Sequence, residues 1–309
     1  MKIDVIIPSC HPEKRFLELV ERLESQTEPV NRIIIVNTEK EGFAELMDCE
    51  AFCHAHPKAE LIHIPKEQFD HGGTRNLAVR RSDADFFVCM TQDALPADAY
   101  LIEALMKTLL GREDTAAAYA RQLAEEDCGL IERYTRRFNY PEQDFYKSRA
   151  DLERLGIKTY FCSNVCAVYR REVFERLGGF VFPTIFNEDM IFAAKAVQAG
   201  CSIGYAAKAQ VVHSHNYSGW QQLTRNFDLG VSHAQYPEVF QSVPPEGEGK
   251  KLVRQTAAWL VKKAPWLLPK LVWQSGMKWI GYRLGKRYER LPRRLTVFLS
   301  MQKGYWTKR

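Results

Sequence analysis

An α/β fold built on a doubly wound, mostly parallel sheet is predicted by three features of this 309-residue sequence. Apolar runs of strand length alternate with amphipathic helical segments. The runs are apolar on both faces, as strands covered by helices on both sides must be. Polar residues gather just past their carboxyl ends, where ligands bind in such sheets. With 46% hydrophobic and 26% charged residues, the composition excludes disorder for most of the chain.

The elements follow in order. "IDVII" (3 to 7) is a buried strand ended by Pro8. In "EKRFLELVERLESQT", Phe16, Leu19, Val20 and Leu23 recur at the spacing of one helical face. "RIIIVN" (32 to 37) is a second strand, a helix near Ala44 to Ala55 leads to "ELIHI" (60 to 64), and a short helix after Thr74 precedes "DFFVCM" (85 to 90). The strand-end rule then selects Ser9, Cys10, Asn37 and Asp93 as candidate ligand contacts. For Asp93 the alternative is a turn-former or the cap of a helix beginning near Asp98. Further on, "FPTIFNEDMIFAAKAVQAG" places Asn187, Glu188 and Asp189 at a helix start, where capping is the alternative to chemistry. "AQVVHSHNYSGW" ends a strand with His213 and His215 two residues apart, on one side of the chain, a pattern suited to a metal.

Charge divides the chain. From Lys250 to Arg309 there are 16 basic residues and one acid, Glu289, a net +15, whereas residues 1 to 249 carry −10. Five of the six tryptophans, Trp259, Trp266, Trp273, Trp279 and Trp306, also lie in the basic segment. "SVPPEGEGK" before it has the composition of a linker, which places a boundary near residue 245. The predicted organisation is a catalytic-type domain over 1–245 and a basic, Trp-rich helical extension over 246–309. The clustered tryptophans, leucines and lysines of "WLVKKAPWLLPKLVW" suit a membrane interface better than a nucleic-acid track, so no nucleic-acid partner is expected. Packing of the tryptophans on the first domain, or in a homodimer, is the alternative.

The opening "MKIDVIIPSC" is too short in its apolar part for a signal peptide, and no window reaches the ~18 apolar residues of a membrane span. A cytoplasmic protein is expected, and its eight cysteines agree with that. Cys49 and Cys53, with His54 and His56 beside them, and Cys162 and Cys166 form two Cys-x3-Cys pairs. Structural zinc sites use tighter pairs, so free thiols are the preferred reading.

"VIIPSC", "FDHGGTRNLA", "TQDALP", "NEDM" and "HSHNYSGWQQLTRNFDLG" occur in that order, and together they resemble the family-2 glycosyltransferases of the GT-A fold, in particular their rhamnosyltransferase-like branch. The resemblance runs from about Ile3 to Pro237. Two departures stand out: Thr91-Gln92-Asp93 replaces the family's Asp-x-Asp, and Asn37 replaces its strand-2 aspartate.

The resemblance implies nucleotide contacts by Pro8, Ser9, Asn37, Arg75, Asn76, Gln92 and Asp93, with His71 supporting the loop. It implies a manganese or magnesium ion on Asp93 with His213 or His215, and histidine tilts the choice toward manganese. Asp189 is the implied general base, with Glu188 orienting it and inversion at the sugar. Ser163 and Asn164 are implied to meet the donor sugar or the acceptor. The donor favoured by the resemblance is dTDP-rhamnose, with another UDP or GDP hexose as the rival. A glycan or lipid-linked glycan is the expected acceptor, reached from the inner face of the cell membrane through the tail. A lapsed, nucleotide-binding module is disfavoured because Asp93, Asp189 and both histidines are all present.

Overall fold

The computed structural model describes residues 1–241 and 246–307. The first half runs β1 (Ile3–Cys10), α1 (Arg15–Glu24), β2 (Arg32–Thr38), α2 (Lys40–Ala44), α3 (Cys49–Ala55), β3 (Ala59–Ile64), α4 (His71–Arg81), β4 (Phe86–Met90), β5 (Leu95–Pro96) and α5 (Leu101–Leu110). It continues through β6 (Thr115–Leu123), α6 (Leu130–Asn139), β7 (Phe145–Lys147), α7 (Leu152–Leu155), β8 (Cys166–Arg170), α8 (Arg171–Arg176), α9 (Glu188–Gln198), β9 (Ser202–Val212) and α10 (Gly219–Gln235). After α11 (Pro237–Phe240) come α12 (Glu246–Lys263), α13 (Leu268–Gly285), α14 (Arg293–Leu299) and α15 (Lys303–Thr307).

One sheet joins the described strands in the order β3-β2-β1-β4-β8-β6-β9-β5, with β7 added on β9. β1 to β4 pair in parallel, as their two-sided apolar sequences predict. The later half is mixed, because β8 runs antiparallel to both β4 and β6. Strand pleating divides the core: Val5, Ile7, Ile33 and Ile35 face α1, while Ile6, Ile34 and Val36 face the layer of α4 and α9. On α1, Phe16, Leu19, Val20 and Leu23 are all buried, each contributing about 1.5–3 kcal/mol by transfer from water. The chain crosses to opposite sides of β1, so a cleft opens between the carboxyl ends of β1 and β4.

Two local differences have simple causes. The helix expected near Ala44 to Ala55 is split, because the Asp48 carboxylate accepts from the backbone of Glu50 and Ala51 and starts α3 anew. α4 begins at His71 rather than after Thr74, because Asp70 accepts from Gly72 N at 3.0 Å and Gly73 N at 2.7 Å and caps it there.

The boundary near residue 245 falls on 242–245, outside the described residues. The helices beyond it pack on the earlier part. α13 lies against α10 backbone to backbone: a Cβ at Gly281 would sit 2.2 Å from Leu223 O, and one at Gly285 would sit 2.0 Å from Phe227 O. Leu299, Tyr305 and Trp306 join Leu223, Phe227 and Val231 in one apolar cluster. Trp259 packs against Tyr134 of α6, with ring centroids 5.0 Å apart. The other face of α13 is open, with Val272, Trp273, Trp279 and Ile280 exposed, and Trp266 is exposed before it. The tail is broken at Pro265, while Pro269 sits in the first turn of α13, where its missing N–H costs nothing.

Candidate active site

The stretch "FDHGGTRNLA" is a clamp on the loop before α9. Asp70 Oδ2 accepts from Thr184 N at 2.8 Å. The Asn76 amide makes a two-point contact with Phe180, donating to its O at 2.8 Å and accepting from its N at 3.1 Å. Gly72 is needed for close approach, since a Cβ there would lie 2.0 Å from Val181 O. Gly72→Ala is therefore expected to cost about 1–3 kcal/mol by overpacking against backbone that has no rotamer to yield. Thermal melting checks this, and a variant that melts with the wild type would show that the contact is loose.

The clamp places Arg75 under Glu188. Arg75 is buried, its Nη1 lies 3.1 Å from Glu188 Oε1 and donates to His71 O at 2.9 Å, and its Nε has no hydrogen-bond partner among the described residues. Asn164 holds both acids of α9: its Nδ2 donates to Glu188 Oε1 at 3.0 Å and its backbone N to Asp189 Oδ2 at 2.9 Å. Tyr169 OH donates to Asn164 Oδ1 at 2.7 Å and completes the support. Asn187 makes no side-chain cap bond, Glu188 is buried against Arg75, and Asp189 Oδ1 accepts from Met190 N at 2.7 Å in the first turn of α9. Burial, and then the Glu188 charge, raise the Asp189 carboxyl well above the ordinary range. Burial works against the charged form of Glu188 too, but Arg75 and His71 outweigh it and hold that carboxyl low. Two adjacent acids are thus driven apart, one kept ionised and one made basic.

A second cluster lies at the end of β4. Asp93 Oδ2 is 3.5 Å from Nε2 of both His213 and His215, and one donor atom from each of the three lies within 4.8 Å of the others. Asp98 serves as the turn acceptor ahead of α5, taking Tyr100 N at 2.8 Å, so Asp93 is free of that duty. His213 Nδ1 is 3.1 Å from Gln122 Oε1. Arg136 also donates to that oxygen, which fixes it as an acceptor, so His213 Nδ1 directs its proton to Gln122 and Nε2 faces Asp93. Burial, and then neighbouring His213, lower the His215 imidazole to about 4. Burial opposes the Asp93 charge, yet the hydrogen bond and charge of His213 hold its carboxyl well below the usual range. One carboxylate and two imidazoles are donors that fit a divalent manganese-type ion.

The two clusters are joined. Gln122 Nε2 donates to Ser163 Oγ at 3.0 Å, and Ser163 precedes Asn164. Of the other predicted contacts, Gln92 pairs both ways with the Cys10 peptide, accepting from its N at 2.8 Å and donating to its O at 3.1 Å, which ties the Asp93 turn to β1 beside Pro8. Asn37 is fully buried: Ser9 Oγ donates to it at 3.1 Å, and it donates to Glu39 O at 2.8 Å. Gln122, Arg136 and Arg225 were not legible as site residues. Arg225 lies 4.7 Å from the ring centroid of Phe186 and 5.8 Å from that of Tyr217, and it makes no ion pair among the described residues. The available signal for Gln122 was its place beside Arg121 near the carboxyl end of the mostly apolar strand "TAAAYARQL".

Two cavities adjoin this network. One, of about 410 Å³, lies past the ends of β1 and β2, lined by Cys10, Thr38 and His71. The other, of about 260 Å³, lies between α6 and α13, lined by His215, Tyr217, Lys270 and Lys278.

A family model described as glycosyl transferase family 2 matches residues 4–178. The O-antigen chain rhamnosyltransferase RfbN of Salmonella typhimurium is 37% identical over 308 residues, covering 99% of this chain and 96% of that one. The O-antigen chain rhamnosyltransferase WbaN of Salmonella anatum is 37% identical over 305 residues, 98% and 95% of the two chains. Among solved structures, the mannosyltransferase PcManGT from Pyrobaculum calidifontis, in complex with GDP-Man and Mn2+, aligns with a TM-score of 0.59 at 16% identity, over 99% of this chain and 85% of that one. S. aureus TarS 1-349 in complex with UDP-GlcNAc aligns at 0.52 and 15% identity, over 94% and 92%. These two likenesses concern the fold.

Proposed function

The chain belongs to glycosyl transferase family 2, and from that premise we propose that it is an inverting rhamnosyltransferase acting on a glycan precursor of a surface polysaccharide. The observation that carries the substrate is the 37% identity to two O-antigen chain rhamnosyltransferases along nearly the whole of each chain. Asp189 takes the proton of the acceptor hydroxyl as that oxygen bonds to the anomeric carbon, and the bond to the donor's diphosphate breaks. Glu188 and Asn164 hold the base in place, and Arg75 keeps Glu188 ionised. Asp93, His213 and His215 would hold manganese or magnesium, which would supply positive charge to the departing diphosphate. dTDP-rhamnose is the donor we infer. In a turnover screen with manganese, dTDP-rhamnose should exceed UDP-glucose, UDP-galactose and GDP-mannose. A higher rate with any of those three would replace rhamnose as the donor.

The tail supports an acceptor presented at a membrane. α13 packs its glycines on α10 and leaves Trp273 and Trp279 in solvent, flanked by basic residues. No described helix is long and apolar enough to cross a membrane, so attachment is interfacial in this reading. Lys270 and Lys278 turn from the same helix toward the cavity beside His215, a suitable place for an anionic lipid carrier. Replacing Trp266, Trp273 and Trp279 with Ser should abolish co-sedimentation with anionic vesicles without lowering the melting temperature, since all three are exposed. Unchanged vesicle binding would rule this surface out. A homodimer through the same face is the competing outcome, read by the sedimentation coefficient.

A further inference from the structure

The 410 Å³ cavity is built from two distant parts of the chain. Its inner wall comes from the ends of β1 and β2 and from the start of α4, the place where this fold holds a donor nucleoside. Its opposite wall is Met301, Gln302, Lys303, Gly304 and Tyr305, almost the last described residues. The volume suits a nucleoside. Thr38 Oγ1 and His71 Nε2, both in residues that line this cavity, are buried with no hydrogen-bond partner among the described residues. The Asn37 amide is already engaged with Ser9, Glu39 and His63.

The far wall is a fixed piece of structure. Buried Asp228 of α10 accepts from Ser300 Oγ at 2.6 Å, Met301 N at 2.9 Å and Gln302 N at 3.0 Å. Arg293 Nη2 donates to Trp306 O at 2.9 Å, and Tyr305 OH to Gln235 Oε1 at 3.1 Å. Within this held segment the side-chain amide of Gln302 is half-buried and makes no hydrogen bond among the described residues. An amide offers one donor and one acceptor side by side, the complement of the imide edge of a pyrimidine base.

We propose that the C-terminal segment Met301–Tyr305 is the outer wall of the base pocket, that Gln302 is its specificity-determining residue for a pyrimidine, and that Asp228 is the positioning residue that holds it. The inference rests on the nucleotide-sugar reading above and assigns the basic tail a part in donor recognition. It also separates the tail's two faces: α13 turns outward, while the segment after α14 turns into the site.

The test uses the full chain and calorimetry with dTDP and, separately, inorganic pyrophosphate, each with manganese. Gln302→Ala should weaken dTDP about fivefold to tenfold, the loss of one or two hydrogen bonds, and leave pyrophosphate unchanged. Asp228→Asn should do the same while raising KM for the donor more than it lowers kcat. Equal weakening of dTDP and pyrophosphate, or of neither, by Gln302→Ala would overturn the proposal. Since Gln302 is half-exposed, its variant is expected to melt with the wild type, so a folding defect will not imitate the result. If the wild type instead prefers UDP, the rhamnose reading fails and the wall is tested with UDP in the same way. A preference for a purine nucleotide would remove the pyrimidine assignment itself.

Discussion

Asp189→Asn is expected to lower kcat by about 10²–10⁴-fold and to leave dTDP affinity within twofold. The substitution removes the carboxylate proposed to take the acceptor's proton, while the Asp93 cluster is joined to it at a distance, through Gln122, Ser163 and Asn164. Stability should change by no more than a few degrees. The raised Asp189 carboxyl means that the fold disfavours its charge, which offsets the bond lost where the new amide nitrogen must face a backbone N–H. The pH profile gives a sharper reading. Because the base works deprotonated and its folded value is raised, activity is lost as pH falls through a value well above the ordinary ~3.9 of an aspartate. Glu188→Gln removes the like charge, so the acid limb should move to lower pH even as kcat falls. A limb that stays in place would mean that some other group limits the rate. Transfer by Asp189→Asn above a tenth of the wild-type rate would reduce Asp189 to a helix-terminal residue.

Much of this was legible in the sequence because it depends on local pattern. The period of Phe16, Leu19, Val20 and Leu23 reports which side of α1 is buried, and the two-sided runs of β1, β2 and β4 report a covered parallel sheet. Asp93 and the His213–His215 pair were each readable at a strand end, the family resemblance implied a shared ion on Asp93 with one of the two histidines, and the structure brings all three together. Partnerships at long range were not readable. Nothing in "FDHGGTRNLA" says that Asn76 will bind the backbone of Phe180, or that Arg75 will meet Glu188 rather than open solvent. The tail shows the same limit. Its charge and tryptophans suggested a separate piece, yet three of its features are glycines at 276, 281 and 285. Gly281 and Gly285 admit the backbone of α10, while a Cβ at Gly276 would meet nothing. A glycine's reason is visible only when the neighbour it admits is known.

Asp93→Ala should remove the gain in dTDP affinity that manganese gives and lower turnover by at least about 10²-fold, since charge stabilisation of a leaving diphosphate is worth several kcal/mol at ~1.4 kcal/mol per tenfold. The carboxylate is the only anionic donor in the cluster, and its low carboxyl value keeps it ionised at every pH where the protein is assayed. His215 is held at about 4, so protons do not compete with a metal at that ring near neutrality, and the affinity gain should be flat from about pH 6 to 8 on its account. The histidines are not equivalent. His213 is buried and oriented by Gln122, whereas His215 is half-exposed and stacked on Tyr217 with centroids 4.8 Å apart. His213→Ala should therefore cost more metal affinity than His215→Ala, and Gln122→Ala should reproduce about 10–100-fold of that loss by freeing the His213 ring. Calorimetry with dTDP, with and without manganese, separates the outcomes. An Asp93→Ala protein that still gains affinity on adding manganese would place the metal elsewhere, and equal losses at the two histidines would remove the orienting role given to Gln122.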